Sequence, residues 1–295
     1  MGDDLPMVSA HRGVLIRLFL VEGVPDGLWV IEKSNWTGVG LMCPRSSYPR
    51  ARSREELARP GVYVLVGPSE RTAGRSRIYV GEADLLSKRL DQHYKGKDFW
   101  TRAIVFTSKD QNLNKAHVRY LESRLIRLAL EVQRAEVDNG NAPTAPSLSE
   151  SEAAEMDAFL DEMLSIYPVL DLRAFERIET GDPAAVRLFV SGPNAKAEGQ
   201  TTPEGFVVFS GSTARAREVP SATSFVTGLR SQLVADGVIA GDGPSLRFTR
   251  DYLFSSPSAA ASAVLARNAN GRTEWKDAQG RTLHEIEAAS VAAAA

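Results

Sequence analysis

An α+β fold in more than one globular unit is what this sequence predicts, and three observations predict it. Short runs rich in β-branched and aromatic residues, bounded by turn-forming glycine and proline, recur along the chain. Between them lie stretches whose apolar residues are spaced by three and four, the period of an amphipathic helix. A stretch dominated by glycine, proline and polar residues, 192–205, reads as a linker. The 295 residues suffice for about two domains. With 43% hydrophobic and 24% charged residues the composition is that of an ordinary globular protein.

In chain order, 13–20 and 28–31 read as strands around the turn signal Pro25-Asp26-Gly27, with a third strand at 39–42. With part of an arginine-rich connection they make a β leader, 1–55. The next unit, 56–145, opens on Gly61-Val62-Tyr63-Val64-Leu65-Val66, crosses a polar glycine-containing segment and returns through Arg77-Ile78-Tyr79-Val80-Gly81, the pattern of an antiparallel hairpin. Residues 84–94 follow as a helix, with Leu86 and Leu90 on one side and Arg89 and His93, four apart, on another. Then come a strand at 101–107 and a long helix over 113–133. That helix turns Leu121, Leu125 and Leu128 inward and carries Lys115, Arg119 and Glu122 on a different face. Helix breakers at 139–143 close the unit. An acidic helical extension, 146–190, starts from a capping box at Ser149 and Glu152. Beyond the linker, 191–204, a second α+β unit at 205–286 has strands at 206–209 and 246–248 and helices at 224–236 and 257–266. A tail, 287–295, ends the chain.

The net charge of −2 conceals an asymmetry. Residues 45–127 hold 18 Lys and Arg against 9 Asp and Glu, whereas 128–182 hold 3 against 13. A basic segment suits a polyanionic substrate; it equally describes a solvated surface whose halves neutralise each other. No apolar run approaches the roughly 18 residues of a membrane helix, and the first residues lack the basic start of a secretory signal. One cysteine, Cys43, excludes an internal disulfide framework and a cysteine zinc cluster. The cytoplasm is the expected compartment. Phosphate-binding glycine loops, a serine-hydrolase elbow and paired-histidine zinc motifs are absent from the sequence.

Two phenols, Tyr63 and Tyr79, a guanidinium, Arg89, an imidazole, His93, and a carboxylate, Glu122, are the parts of a metal-assisted phosphodiester site. Their order resembles the GIY-YIG nuclease family. Its two signature elements stand here as Gly61-Val62-Tyr63 and Tyr79-Val80-Gly81, each with valine for isoleucine, a conservative swap at a buried strand position. The family's helix arginine corresponds to Arg89, its metal-binding glutamate to Glu122 and its closing asparagine to Asn141, with Asn139 close behind. The resemblance implies a small antiparallel or mixed sheet flanked by helices, and metal-dependent endonuclease action on DNA phosphodiesters. It also implies Mg2+ or Mn2+ on Glu122, a hard oxygen donor, and a bidentate grip of Arg89 on the scissile phosphate. Lys88, Lys115 and Asn141 are then contacts to the nucleic acid. Either Tyr63, if a neighbouring cation lowers its pKa, or His93 takes the proton. The alternative is a nucleic-acid-binding or scaffold protein that keeps this fold without efficient cleavage. Residues 251–261 and 270–276 resemble a domain of unknown function appended to some GIY-YIG proteins. There, Trp275 and Tyr252 beside Arg272 and Lys276 either stack on bases or fill a core.

Overall fold

The computed structural model describes residues 13–70, 75–110, 112–140, 143–178, 186–241 and 243–293. The chain divides into two compact units, Met1–Glu176 and Arg177–Ala295. The fold is mixed α+β, with one sheet in each unit. Among the described residues no helix is long and apolar enough to cross a membrane.

In the first unit, β1 (Ile16–Leu20), β2 (Trp29–Lys33) and β3 (Gly38–Pro44) precede a single helical turn, α1 (Tyr48–Ala51). Then follow β4 (Gly61–Pro68), β5 (Ser76–Ala83), α2 (Leu86–Gly96), β6 (Arg102–Ser108), α3 (Lys115–Val132), β7 (Glu136–Val137) and α4 (Glu150–Ile166). All seven strands join one sheet in the order β1-β2-β3-β6-β4-β5-β7. Every pair is antiparallel except β5–β7. The β4–β5 hairpin runs in unbroken register from Gly61↔Ala83 to Pro68↔Ser76.

The β leader expected at 1–55 does more than abut the next unit. Strand β3 pairs with β6 from Gly38↔Ser108 to Pro44↔Arg102, so the leader supplies three of the seven strands of the same sheet. Residues Gly38 to Cys43 are all buried because both sheet faces are covered. One face holds Val62, Val64, Val66, Ile78, Val80, Ile104 and Phe106 against α3 and α4; the other holds Leu41, Tyr63, Leu65 and Val105 against α2. The arginine-rich segment is not a free connection either. Arg45 donates to the carbonyls of Tyr94 and Lys97 and lies over the rings of Tyr94 and Trp100.

The acidic helix expected within 146–190 packs onto the same unit. Its capping box forms as expected, with Ser149 and Glu152 each satisfying the other's backbone N–H. Yet α4 buries Met156, Phe159, Leu160, Met163 and Ile166 in the first unit's main core. Acidic residues line its outer side, and the apolar stripe beneath them decides where it sits.

The second unit comprises β8 (Leu188–Gly192), β9 (Ala195–Thr202), β10 (Gly205–Val208), β11 (Thr213–Arg215), α5 (Ser224–Ala235), β12 (Ile239–Ala240), β13 (Ser245–Phe248), β14 (Tyr252–Phe254), α6 (Pro257–Leu265), α7 (Gly271–Glu274) and α8 (Leu283–Ala293). Its sheet runs β12-β13-β11-β9-β10-β14, with β8 also paired to β9. The predicted linker at 191–204 is thus β9 and its turns, the strand with most partners. Ala195 and Ala197 face the core while Lys196 stands exposed, so the alternation is real but its apolar residue is alanine. Gly199 is required there, because a Cβ would run into the carbonyl oxygen of Val207. Helix α6 supplies Ala259, Ala260, Ala261 and Ala263 to the core, where small side chains let helix and sheet approach closely.

Candidate active site

The site is built at the end of the β4–β5 hairpin. Tyr63 on β4 is fully buried, and its register partner on β5 is Gly81. A Cβ at Gly81 would collide with the Tyr63 hydroxyl, so the glycine makes room for the phenol beside it. Tyr79 is paired with Leu65, which places it diagonally from Tyr63 rather than directly across as the two-strand pattern suggests. The two ring centroids lie 6.4 Å apart.

Helix α2 crosses the tyrosine face of the sheet, anchored by buried Leu86 and Leu90. The next side of the helix carries Arg89 and His93, as the spacing of four predicts. His93 is buried, and its Nε2 shares a 2.7 Å hydrogen bond with the Tyr63 hydroxyl. Its ring centroid is 5.0 Å from that of Tyr79. The Arg89 guanidinium interacts with both phenol oxygens and donates a 2.9 Å hydrogen bond to Gln92. Helix α3, started by the Asn114 side chain accepting from the N–H groups of Ala116 and His117, brings Glu122 to the same place.

Tyr63, Lys88, Arg89, Lys115 and Glu122 line one cleft of about 480 Å³ together with Glu82, Asp84 and Gln92. Lys88 is exposed and has no ion-pair partner among the described residues. Lys115, expected to be free for phosphate, is engaged: its ammonium lies 2.8 Å from Glu82 and 3.4 Å from Asp84. Helical spacing displayed Lys115 beside Glu122 but carried no information about β5 and the turn after it, which deliver Glu82 and Asp84. Those two carboxylates follow Gly81 closely in sequence, and that adjacency was the available signal. Asn141 lies outside the described residues. Asn139, the close second, accepts from the N–H of Val80 and donates to its carbonyl, extending the β7 edge along the strand that carries Tyr79.

Burial sets the protonation states. Loss of water is the largest influence on Tyr63, Tyr79 adds to it, and Arg89 only partly offsets both; the Tyr63 pKa rises well above the ordinary phenol value. The condition set for Tyr63 as the base, a neighbouring cation that lowers its pKa, is met only in part: Arg89 pulls the value down, but burial outweighs it. His93 is pushed down to about 4 by burial first, then by Arg89 and Lys97, so it is neutral at pH 7. Glu122 is pushed up to about 7 by burial and by neighbouring Glu82, against the pull of Lys115, Arg119 and Arg89. Glu122 has no hydrogen-bond or ion-pair partner among the described residues.

A half-buried carboxylate without a partner suits a divalent cation. Among the described residues no three His, Cys, Asp or Glu side chains gather as a metal cage. A cation on Glu122 would therefore draw its remaining ligands from water and substrate oxygens, the habit of magnesium rather than of structural zinc. The donor set fits Mg2+ or Mn2+ in that mode.

In the second unit, Trp275 is not a stacking platform. It is fully buried, 4.4 Å from the Phe206 ring centroid, with its indole N–H donated to the carbonyl of Pro257. Arg272 pairs with Glu287.

Comparison with known proteins bears on this unit alone. A family model described as a domain of unknown function, DUF4357, matches residues 188–287, which extends the appended domain expected at 205–286 back to include β8 and β9. No curated protein and no solved structure matches the chain.

Proposed function

We propose that the cleft of the first unit hydrolyses DNA phosphodiester bonds with the help of a divalent cation, as the resemblance to GIY-YIG nucleases implies. One observation carries the reading: an unpartnered, half-buried Glu122 shares a cleft with a guanidinium and with a phenol that is hydrogen-bonded to a neutral imidazole. A cation there neutralises phosphate charge and favours ionisation of a bound water.

The chain's own residues do the rest. Arg89 lines the cleft beside the phenols, so a phosphate entering it meets a guanidinium able to grip two of its oxygens where negative charge grows. The same phosphate offsets the Arg89 charge, one of the influences that depress the His93 pKa. Substrate binding thereby makes His93 a better proton acceptor. With the ring proton on Nδ1, the Tyr63 hydroxyl donates to Nε2 and can take a proton from water as it passes its own to His93. On this reading Tyr63 and His93 are one relay, not rival bases. Lys88 at the rim holds the backbone without choosing sequence.

Plasmid nicking in Mg2+ by the wild-type chain, Glu122→Ala and Arg89→Ala tests the reading. Cleavage is expected from the wild type alone; equal nicking by all three overturns it. The raised Tyr63 pKa favours the second reading, a binding or scaffold protein, for which DNA is bound by all three and cut by none.

A further inference from the structure

The second unit carries a basic sheet face that the proposed nuclease chemistry does not use. Antiparallel register fixes it: Ser191 pairs with Lys196, Lys196 with Thr213 and Thr213 with Arg247, so these four side chains form one rung on the same side of β8, β9, β11 and β13. Arg215, two residues along β11, stands on that side as well. A second rung joins Lys276, Phe189 and Glu198. The residues between them, Val190, Ala197, Ala214 and Phe248, are buried on the opposite side, which makes the polar side the outer one.

Lys196, Arg215, Arg247 and Lys276 have no ion pair among the described residues. The one carboxylate on these two rungs, Glu198, is met by Arg187 at 2.8 Å. Arg187 also lies over the Phe209 ring, 4.1 Å from its centroid. In the second rung Phe189 remains 41% exposed, a large aromatic between a lysine and a satisfied glutamate. Arg247 donates to the Gly211 carbonyl, but none of the four cations meets a carboxylate, and together they call for a polyanion. An exposed ring on the outer side of the sheet adds a place where an unpaired base can stack, and bases in a duplex are not available for that.

We infer that this face binds a single-stranded segment of nucleic acid, its phosphates on Lys196, Arg215 and Arg247 and a base on Phe189. The assignment is independent of the cleft in the first unit. It is tested on the full-length Glu122→Ala chain in EDTA, so that cutting plays no part. Fluorescence anisotropy with labelled dT20 and rU20 across a salt series reads affinity and salt slope, the two probes distinguishing DNA from RNA as the source of the shared chemistry.

Changing Lys196, Arg215 and Arg247 together to Gln is expected to weaken binding at least tenfold and to reduce the salt slope by about 2. Phe189→Ala is expected to weaken it about tenfold with the slope unchanged. Each substitution is at a surface position, and a thermal melt coincident with the parent shows that the fold is kept. Unchanged affinity in both variants overturns the inference. So does displacement by polyglutamate as effective as by dT20, which would make the ligand an acidic protein, or duplex binding equal to single-strand binding and indifferent to Phe189.

Discussion

Glu122 and Asp138, two carboxylates of the first unit, begin from the same disadvantage: loss of water is the largest single influence on each. Asp138 is compensated. One oxygen accepts from Arg77 and the other from Lys97 at 2.6 Å, and its pKa falls below the ordinary carboxylate value. Glu122 has no such partner, has Glu82 nearby, and rises to about 7. An unmet polar group of this kind costs about 1–3 kcal/mol. Asp138 holds the structure together; Glu122 is held ready by a structure that would be more stable without its charge.

The comparison breaks most sharply on activity. Glu122→Gln keeps the shape and removes the charge, and is expected to lower cleavage of supercoiled DNA by about 10³-fold or more. Asp138→Asn should leave the cleavage rate of the folded protein within a few-fold. Next in size is Gly81→Ala. Its methyl displaces the Tyr63 hydroxyl, and single-turnover cleavage should fall about 10²-fold, with about 1–3 kcal/mol of stability lost in urea titration.

Asp138→Asn is then expected to cost about 1–2 kcal/mol at pH 7. Because the Asp138 pKa is depressed on folding, its stabilisation is present above the unfolded pKa of about 3.8 and is lost as pH falls through the lower folded value; the deficit of the variant should shrink steadily as pH falls below 3.8. The smallest effect has the opposite sign. Folding raises the Glu122 pKa, so the native state binds the extra proton between pH 4.5 and about 7, and the penalty grows as pH rises through that window. Glu122→Gln should therefore match the wild type at pH 4 and exceed it by about 1 kcal/mol at pH 8, a figure reduced for solvent screening of this half-exposed group. Equal stability of the two proteins at both pH values would remove the distinction between the carboxylates.

Much of the site could be read from the sequence because its determinants are local. Tyr63, Gly81 and Tyr79 belong to one hairpin, and Arg89 and His93 to one helix, so strand period and helix spacing place them without knowledge of the rest. What failed depends on contacts distant along the chain. Nothing in residues 38–44 announces β6 as their neighbour, and nothing in Lys115 announces Glu82. The mistaken linker failed for a chemical reason: Ala195, Ala197 and Gly199 are the small residues that let β9 sit at the centre of its sheet, and they look like a spacer when strands are sought by bulky side chains. For Trp275 the sequence left base stacking and core open, and the core alternative is the one realised, its indole N–H donated to the Pro257 carbonyl inside.

Strand β1 closes one side of the first sheet, and among the described residues no strand lies beyond it. Leu18 and Phe19 are exposed there on opposite faces, next to exposed Val14 and Leu15, and Arg17 is the only charge in the strand. Unused backbone donors and acceptors flanked by apolar side chains form a template onto which a further strand can add. Association of the molecule at high concentration is therefore expected to begin at these few residues, held in check by how well one arginine keeps neighbours away.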